Sequence, residues 1–224
     1  MSEMQDYLDR HYCESATIAD HVGISLDELD ELIDARLIPG PSYVVHSDKI
    51  ISAAFGELPQ GGAKPGRYFA PSERVWIERA RTCRARNESE EVEATFRTRM
   101  SIALAAANRD IFRLADAFDD SGERLPGLNV RFDDMWAAFL DGVYALCVVE
   151  ADSEERIVRK EILQEKLIAL TDDGAKAASA ELQADELSHL IDNYDAAAMP
   201  FAPAEYPRSS RKRLVDDLRV ESAH

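Results

Sequence analysis

An apolar stripe at helical spacing runs through the middle of the chain. Its eight residues follow one another at intervals of three or four: Val92, Phe96, Met100, Ala103, Ala107, Ile111, Leu114 and Phe118. Such spacing places them on one face of a helix. Neither glycine nor proline occurs from Ser72 to Ser121. We therefore expect one long helix or two in series, and the capping-box-like pair Asn87 and Glu90 predicts a break between two. The stripe is typical of a packed core. The alternative is the seam of a homodimer formed through Val92, Phe96, Met100, Leu114 and Phe118.

The second half of the chain is also predicted to be helical. Residues 132–149 are apolar on most sides, which indicates a central, buried helix. Ser153 begins another helix that ends near Leu170, and a last long helix is expected near residues 184–198. Three prolines within residues 199–207 require an extended segment. Beyond it, Ser209 or Ser210 can cap a short helix that docks on the body through three apolar residues, Leu214, Val215 and Leu218.

The first part of the chain mixes short helices with strand-like runs. An opening helix is expected near residues 4–13, followed by two short helices at residues 15–22 and 26–35, separated by a turn at Gly23-Ile24-Ser25. Residues 42–46 have strand propensity, whereas residues 47–55 are ambiguous between a strand and a short helix. Residues 56–66 contain four glycines and two prolines and predict a flexible loop.

This order of elements resembles a winged helix-turn-helix of the MerR type. Leu37-Ile38-Pro39-Gly40-Pro41-Ser42-Tyr43 is similar to the start of its wing, and Arg67-Tyr68-Phe69 before a helix is similar to its end. The predicted fold class is therefore mostly α, with two domains. The first, at residues 1–85, is a winged helix-turn-helix with a small β-wing. The second, at residues 86–224, is helical and ends in a proline-rich extended segment and a basic helix.

The charge pattern conflicts with a role in reading DNA. The net charge is −17, and the helix in the reading position carries five acidic residues: Asp27, Glu28, Asp30, Glu31 and Asp34. Protein surfaces that bind duplex DNA need Lys or Arg against the phosphates. Basic residues gather instead at residues 74–86 and in the tail at residues 208–219. We therefore expect no specific nucleic acid partner.

The same composition bears on where the protein acts. No apolar run approaches the roughly 18 residues that a membrane span requires, and no secretory signal is recognised at the start. Three well-separated cysteines suit reduced thiols. The expectation is a cytoplasmic, acidic protein that does not bind membranes.

Three further segments of the second half are distinctive. They are residues 136–147 (Trp-Ala-Ala-Phe-Leu-Asp-Gly-Val-Tyr-Ala-Leu-Cys), residues 156–161 (Arg-Ile-Val-Arg-Lys-Glu), and Pro200-Phe201-Ala202-Pro203 with Ser209-Ser210-Arg211. Together with Pro41-Ser42-Tyr43 and residues 68–72, they resemble a bacterial family of unknown function catalogued as natural-product biosynthesis proteins. Residues Ala145-Leu146 depart from the family's Gly-Val at that point. The resemblance implies an association with biosynthetic genes and supplies no reaction or cofactor.

The chain offers few groupings of residues that could bind a metal or carry out catalysis. His11 and Cys13 are the only close His/Cys pair, too few for a structural zinc site. Glu186-x-x-His189 matches half of a di-iron signature whose second half is missing. No metal and no cofactor are therefore predicted. Ser42, Tyr43 and His46, with Asp48, form a set in which Ser42 and His46 share a strand face, although a structural role is the simpler interpretation.

Two other groups of residues are candidates for binding a ligand. Trp136, Asp141, Tyr144 and Lys160 would line a pocket between central helices, and Asp141 lies either inside an apolar helix or at its edge, paired with an arginine. In the tail, Arg208, Arg211 and Arg213 either pair with acidic residues of the body or grip an anion at a helix N-terminus.

Three functions compete on these grounds. The first is an accessory or small-molecule-handling protein of a bacterial natural-product biosynthetic pathway, whose partner is a small molecule or a protein. The second is a MerR-like transcription regulator, and the third is an enzyme of unrecognised type.

Overall fold

The computed structural model describes residues 2–174 and 184–221. Its N-terminal part contains three short helices, α1 (Glu3–His11), α2 (Ser15–Val22) and α3 (Leu26–Asp34). Ser2 and Ser25 cap α1 and α3 because their hydroxyls accept hydrogen bonds from the backbone N–H groups of Gln5 and Glu28. Helices α2 and α3 lie within the residues at which two short helices were predicted.

A five-stranded antiparallel sheet occupies the rest of this part. Its strands are β1 (Cys13–Glu14), β2 (Tyr43–Val45), β3 (Lys49–Ser52), β4 (Gly56–Pro59) and β5 (Gly66–Phe69). The order across the sheet is β1-β5-β2-β3-β4. Cys13 pairs with Phe69, Tyr43 with Tyr68, and Ile50 with Leu58.

The predicted fold class, a mostly α chain with a winged helix-turn-helix, is therefore wrong. The segment read as a small wing and a flexible loop folds into a sheet with two additional strands, β3 and β4, and residues before α2 supply a third, β1. In β3 alternate side chains, Ile50 and Ser52, are buried, which is the period of a strand with one covered face. The sheet packs against α1 and against residues from the second half of the chain.

The long helical region divides in two, as the sequence predicts. A 3₁₀ turn (Pro71–Glu73) leads into α4 (Arg74–Ala85), and α5 (Glu91–Asp110) follows after Asn87, whose φ is +59°. The apolar stripe extends past the helix, since Leu114 and Phe118 lie beyond the last residue of α5.

The stripe is packed core and not an open seam. Phe96, Met100, Leu114 and Phe118 are each at most 2% exposed inside the single chain, and Val92 is half-buried. A homodimer seam requires these side chains on the surface, where they do not lie. The fold itself therefore explains the periodicity.

The expected central helix is broken. Helix α6 (Gly127–Leu140) ends at Asp141, and the short α7 (Val143–Cys147) follows Gly142, whose φ is +78°. The break brings the chain against the Gly40-Pro41 segment, where the N–H of Gly40 donates to the carbonyl of Leu140 at 2.8 Å. The two halves of the chain touch backbone to backbone at this point.

The C-terminal elements complete the fold. Helices α8 (Glu154–Thr171) and α9 (Ala184–Ala197) precede the extended proline-rich segment, a 3₁₀ turn (Tyr206–Arg208), a π-helical stretch (Lys212–Asp217) and the final turn α10 (Leu218–Glu221). Leu214, Val215 and Leu218 are fully buried, so the docking predicted for the tail is observed.

Hydrophobic clusters extend across the proposed domain boundary at residue 85. Trp76 packs with residues of α5, α6 and α8, and Tyr43 packs with Leu146 and Phe201. The division into domains at 1–85 and 86–224 stays a prediction.

Candidate functional site

An apolar pocket of about 390 Å³ opens between α4, α5, α6 and the start of α8. Its aliphatic wall consists of Leu37, Val75 and Val92, and Thr82, Cys83 and Thr95 contribute small polar groups. Ligand sites in proteins are typically concave, mostly apolar and supplied with a few placed polar groups. This pocket fits that description.

Four aromatic rings build the inner wall. They are Trp76, Phe96, Trp136 and Phe139, contributed by α4, α5 and α6. Trp136 stacks on Phe139 with ring centroids 5.2 Å apart, and Phe96 contacts both rings at 5.1 and 4.7 Å. Trp76 meets Phe139 edge to face at 4.8 Å. Because each ring is held by the others, the wall is preorganised to receive an apolar or aromatic surface.

Trp76 is fixed by a hydrogen bond as well as by packing. Its indole Nε1 donates to the carbonyl of Ala151 at 2.6 Å, which ties α4 to the loop before α8. The guanidinium of Arg79, one helical turn later, lies 4.6 Å from the centroid of the same ring. A cation over an aromatic face is attracted by the π-electrons.

A buried carboxylate forms the charged part of the pocket. Glu154 is 1% exposed, and Arg79 Nη1 donates to its Oε1 and Oε2 at 3.1 and 3.2 Å. Glu154 opens α8 directly after the cap Ser153, where the helix dipole favours a negative charge. Arg99 of α5 lies farther away, with Nη1 3.9 Å from Glu154 Oε2. The pocket thus combines an aromatic wall with two arginines and one deeply placed carboxylate.

The Ser42, Tyr43 and His46 set is not brought together. Ser42 is buried and its hydroxyl donates to the carbonyl of Gly142 at 3.5 Å, whereas His46 is exposed at the end of β2. The Tyr43 hydroxyl donates to Glu205 Oε2 at 2.7 Å. No hydrogen bond joins Ser42 to His46 in the described part of the chain, so these residues are not arranged as a nucleophilic pair.

Tyr43 belongs instead to a buried polar network that joins the sheet to the C-terminal segment. Ser52 Oγ donates to Glu205 Oε1 at 2.5 Å, and Tyr7 donates to the carbonyl of Pro200 at 2.8 Å. Burial raises the pKa of Tyr7 to about 12. Burial also raises the pKa of Glu205, against the lowering effect of the hydrogen bonds from Ser52 and Tyr43. Since its members bond to one another, this network acts as an anchor of the fold.

The four residues expected between the central helices are separated. Trp136 lines the aromatic pocket, whereas Asp141 is exposed at the C-terminal end of α6. Tyr144 is buried in the main core. Lys160 is buried on α8 and donates to Glu161 and Gln164 at 2.8 and 2.7 Å. Burial lowers the pKa of Lys160, but the charge of Glu161, its hydrogen bond to Lys160, and the nearby Cys147 and Tyr194 together raise it by more, so that the net shift is upward.

The three tail arginines point in different directions. Arg211 pairs with Asp195 of α9 and donates to the carbonyl of Ala198 at 3.1 Å. Arg213 Nη2 lies 3.1 Å from Asp173 Oδ1. The guanidinium of Arg208 lies 5.2 Å from the ring centroid of Phe55. Two of the three charges are thus matched by carboxylates of the body. The anion site stays a prediction.

Sequence reasoning selected Trp136 but missed the rest of the pocket. Arg79 belongs to the basic stretch at residues 74–86, and no motif marks Arg99 or Glu154. An indication was present in Trp76, because a tryptophan on an otherwise charged helix must pack against something.

The described residues contain no group of three or more His, Cys, Asp or Glu side chains that could hold a metal ion. Among the described helices, none is both long enough and apolar enough to cross a membrane.

The fold and the pocket define a mixed helix-and-sheet protein with an aromatic-walled pocket. Comparison with known families gives one match: residues 92–223 fit the model described as "Family of unknown function (DUF6058)". The match covers more than half of the chain, and the protein belongs to this family. No curated protein and no solved structure matches the chain.

Proposed function

We propose that the protein binds a small, largely apolar molecule in the aromatic pocket, as an accessory or small-molecule-handling protein of a bacterial natural-product biosynthetic pathway. The observation that carries the binding proposal is the wall of four aromatic rings around about 390 Å³ of space. This volume lies within the range of roughly 300–1,000 Å³ typical of ligand pockets. The link to a biosynthetic pathway rests on the resemblance of residues 136–147 and 156–161 to that group of proteins.

The shape of the pocket favours a planar ligand. Trp136 is half-buried, so part of its ring is open to a stacking partner, while Phe96 and Phe139 are at most 3% exposed behind it. Offset stacking on such a ring contributes about 0.5–1.5 kcal/mol beyond the burial of area. A molecule with one or two aromatic rings would therefore gain from both area and geometry.

Tryptophan fluorescence tests the proposal directly. The chain contains two tryptophans, and both line the pocket. Nitroaromatic compounds quench tryptophan, so we expect titration with para-nitrobenzyl alcohol, para-nitrobenzoate and para-nitrobenzylamine to give saturable quenching by at least one of them. Free N-acetyltryptophanamide serves as the collisional control, and calorimetry checks the affinity.

A matched pair of variants on α5 shows whether the pocket is responsible. Thr95→Phe places a ring in the pocket, whereas Thr98→Phe makes the same change at an exposed position of the same helix that does not line it. We expect Thr95→Phe to abolish saturable quenching and Thr98→Phe to retain it. If no probe saturates with the wild type, or if both variants bind alike, the proposed function is wrong.

A further inference from the structure

Arg99 is the one pocket arginine whose hydrogen-bonding capacity is unused. Its side chain is 47% exposed, and its nearest carboxylate oxygen, on Glu154, is 3.9 Å away, beyond hydrogen-bond distance. Within residues 2–174 and 184–221 the guanidinium of Arg99 donates no hydrogen bond. Arg79 differs, because it donates to both oxygens of Glu154 and lies over Trp76.

The charge of Glu154 is already matched without Arg99. Arg79 supplies a full positive charge at hydrogen-bond distance, and the N-terminus of α8 adds a partial one. The remaining carboxylate of the pocket, Glu78, is exposed on α4 and is screened by solvent. Arg99 therefore leaves a positive charge with free N–H donors at the edge of an apolar cavity.

We infer that the ligand of this pocket is an aromatic or similarly flat apolar acid whose carboxylate is bound by Arg99. This inference rests on the proposed function and names its ligand class. The ring system would lie on the open part of the Trp136 ring, and the carboxylate would accept two parallel hydrogen bonds from the guanidinium of Arg99. Arginine suits this role because its planar fork matches the two oxygens of a carboxylate.

The three nitrobenzene probes also test this ligand class, because they share one ring and differ in charge. The acid, para-nitrobenzoate, should bind the wild type about tenfold more tightly than the neutral alcohol, which corresponds to about 1.4 kcal/mol. The amine should bind more weakly than the alcohol. Arg99→Gln should reduce the preference for the acid to twofold or less and leave the affinity for the alcohol unchanged.

Arg109→Gln is the matched control. Arg109 lies on the same helix, α5, is exposed, and lines a different cleft. The variant therefore loses the same charge away from the pocket and should keep the tenfold preference. Equal binding of acid and alcohol by the wild type, or loss of the preference in both variants, would overturn the ligand class while the proposed function stands. Failure of every probe to bind would overturn both.

Discussion

Replacing Gly142 by alanine probes the closest approach between the two halves of the chain. Gly142 has a φ of +78°, and an added Cβ would lie 2.5 Å from the carbonyl oxygen of Gly40 and 3.2 Å from that of Pro41. The left-handed backbone alone costs alanine about 1–2 kcal/mol. A separation of 2.5 Å is shorter than real Cβ contacts allow, so the two backbones must also move apart.

That movement has its own cost. It stretches the 2.8 Å hydrogen bond from the Gly40 N–H to the Leu140 carbonyl, whose loss costs about 1 kcal/mol, and it loosens the buried packing of Ser42. We therefore expect Gly142→Ala to lower the free energy of unfolding by about 3 kcal/mol or more. Urea unfolding followed by far-ultraviolet circular dichroism measures the change.

Gly122→Ala is the control that separates the two costs. Gly122 has a φ of +85°, but nothing lies within 4 Å of an added Cβ. This variant should lose only the backbone contribution of about 1–2 kcal/mol. If Gly142→Ala and Gly122→Ala lose the same free energy of unfolding, the close approach at Gly40 does not contribute to stability and the reasoning fails.

Three further predictions follow from buried and charged groups. Burial raises the pKa of Glu73 well above its usual value, opposed only by the hydrogen bond from the Ala70 N–H. Because the pKa of Glu73 is higher in the folded than in the unfolded state, the free energy of unfolding should rise as the pH falls through the raised pKa toward the usual pKa of a glutamate. Glu73→Gln should be more stable than wild type near neutral pH in urea unfolding, and its stability should lack this dependence on pH. Phe96→Glu, which buries a charge in the aromatic wall, should cost several kcal/mol and abolish cooperative unfolding in near-ultraviolet circular dichroism. Duplex DNA from the neighbourhood of the gene should show no competitor-resistant shift in a gel assay at low salt, because α3 faces solvent with carboxylates.

Each of these has an outcome that contradicts it. A difference in stability between Glu73→Gln and wild type that is the same at every pH would mean that the pKa of the Glu73 carboxyl is not raised by folding. A Phe96→Glu variant that folds cooperatively and is a monomer by light scattering, where the wild type is a dimer, would show that the stripe is a dimer seam. Nanomolar DNA binding that resists competitor would show that α3 is not a barrier to the phosphates.

Local patterns predicted the parts of the fold that local physics determines. The break between α4 and α5 at Asn87 and the burial of the three apolar residues of the tail were both predicted and are both observed. The break depends on interactions within one or two helical turns, whereas the tail residues pack with α8 and α9. A periodic apolar face also identifies a core position, and Phe96 is one.

A small β-wing was predicted, with strands near β2 and β5, but the full sheet was missed. β1 has two residues and pairs with β5 more than fifty residues later, so β1 is not recognisable alone. β3 and β4 contain few apolar residues, and only Ile50 and Leu58 face each other in the covered layer. A strand is stabilised by packing against the neighbouring strands, and the sequence alone does not show which strands these are.

The pocket was missed for the same reason. Arg79, Arg99 and Glu154 come from three helices, and no spacing along the chain relates them. The sequence could mark Trp76 and Trp136 as residues that need an apolar environment, but not that their environments are the same. Conversely, Ser42 and His46 are close in sequence, yet the fold buries one and exposes the other.

The conflict between an acidic reading helix and a basic neighbouring helix disappears in three dimensions. Carboxylates of α3 pair with arginines of β5 and α4: Asp30 with Arg67 at 2.5 Å, Glu28 with Arg81 at 3.3 Å, and Glu31 with Arg84 at 2.6 Å. Exposed pairs of this kind contribute at most about 1 kcal/mol each to stability. Their main effect is on how much positive charge remains available to a binding partner. Arg67, Arg81 and Arg84 pair with carboxylates of α3, so they are less available to contact the phosphates of a nucleic acid. The acidic run of α3 and the arginines of β5 and α4 are separate features of the sequence, but in the fold they neutralise one another.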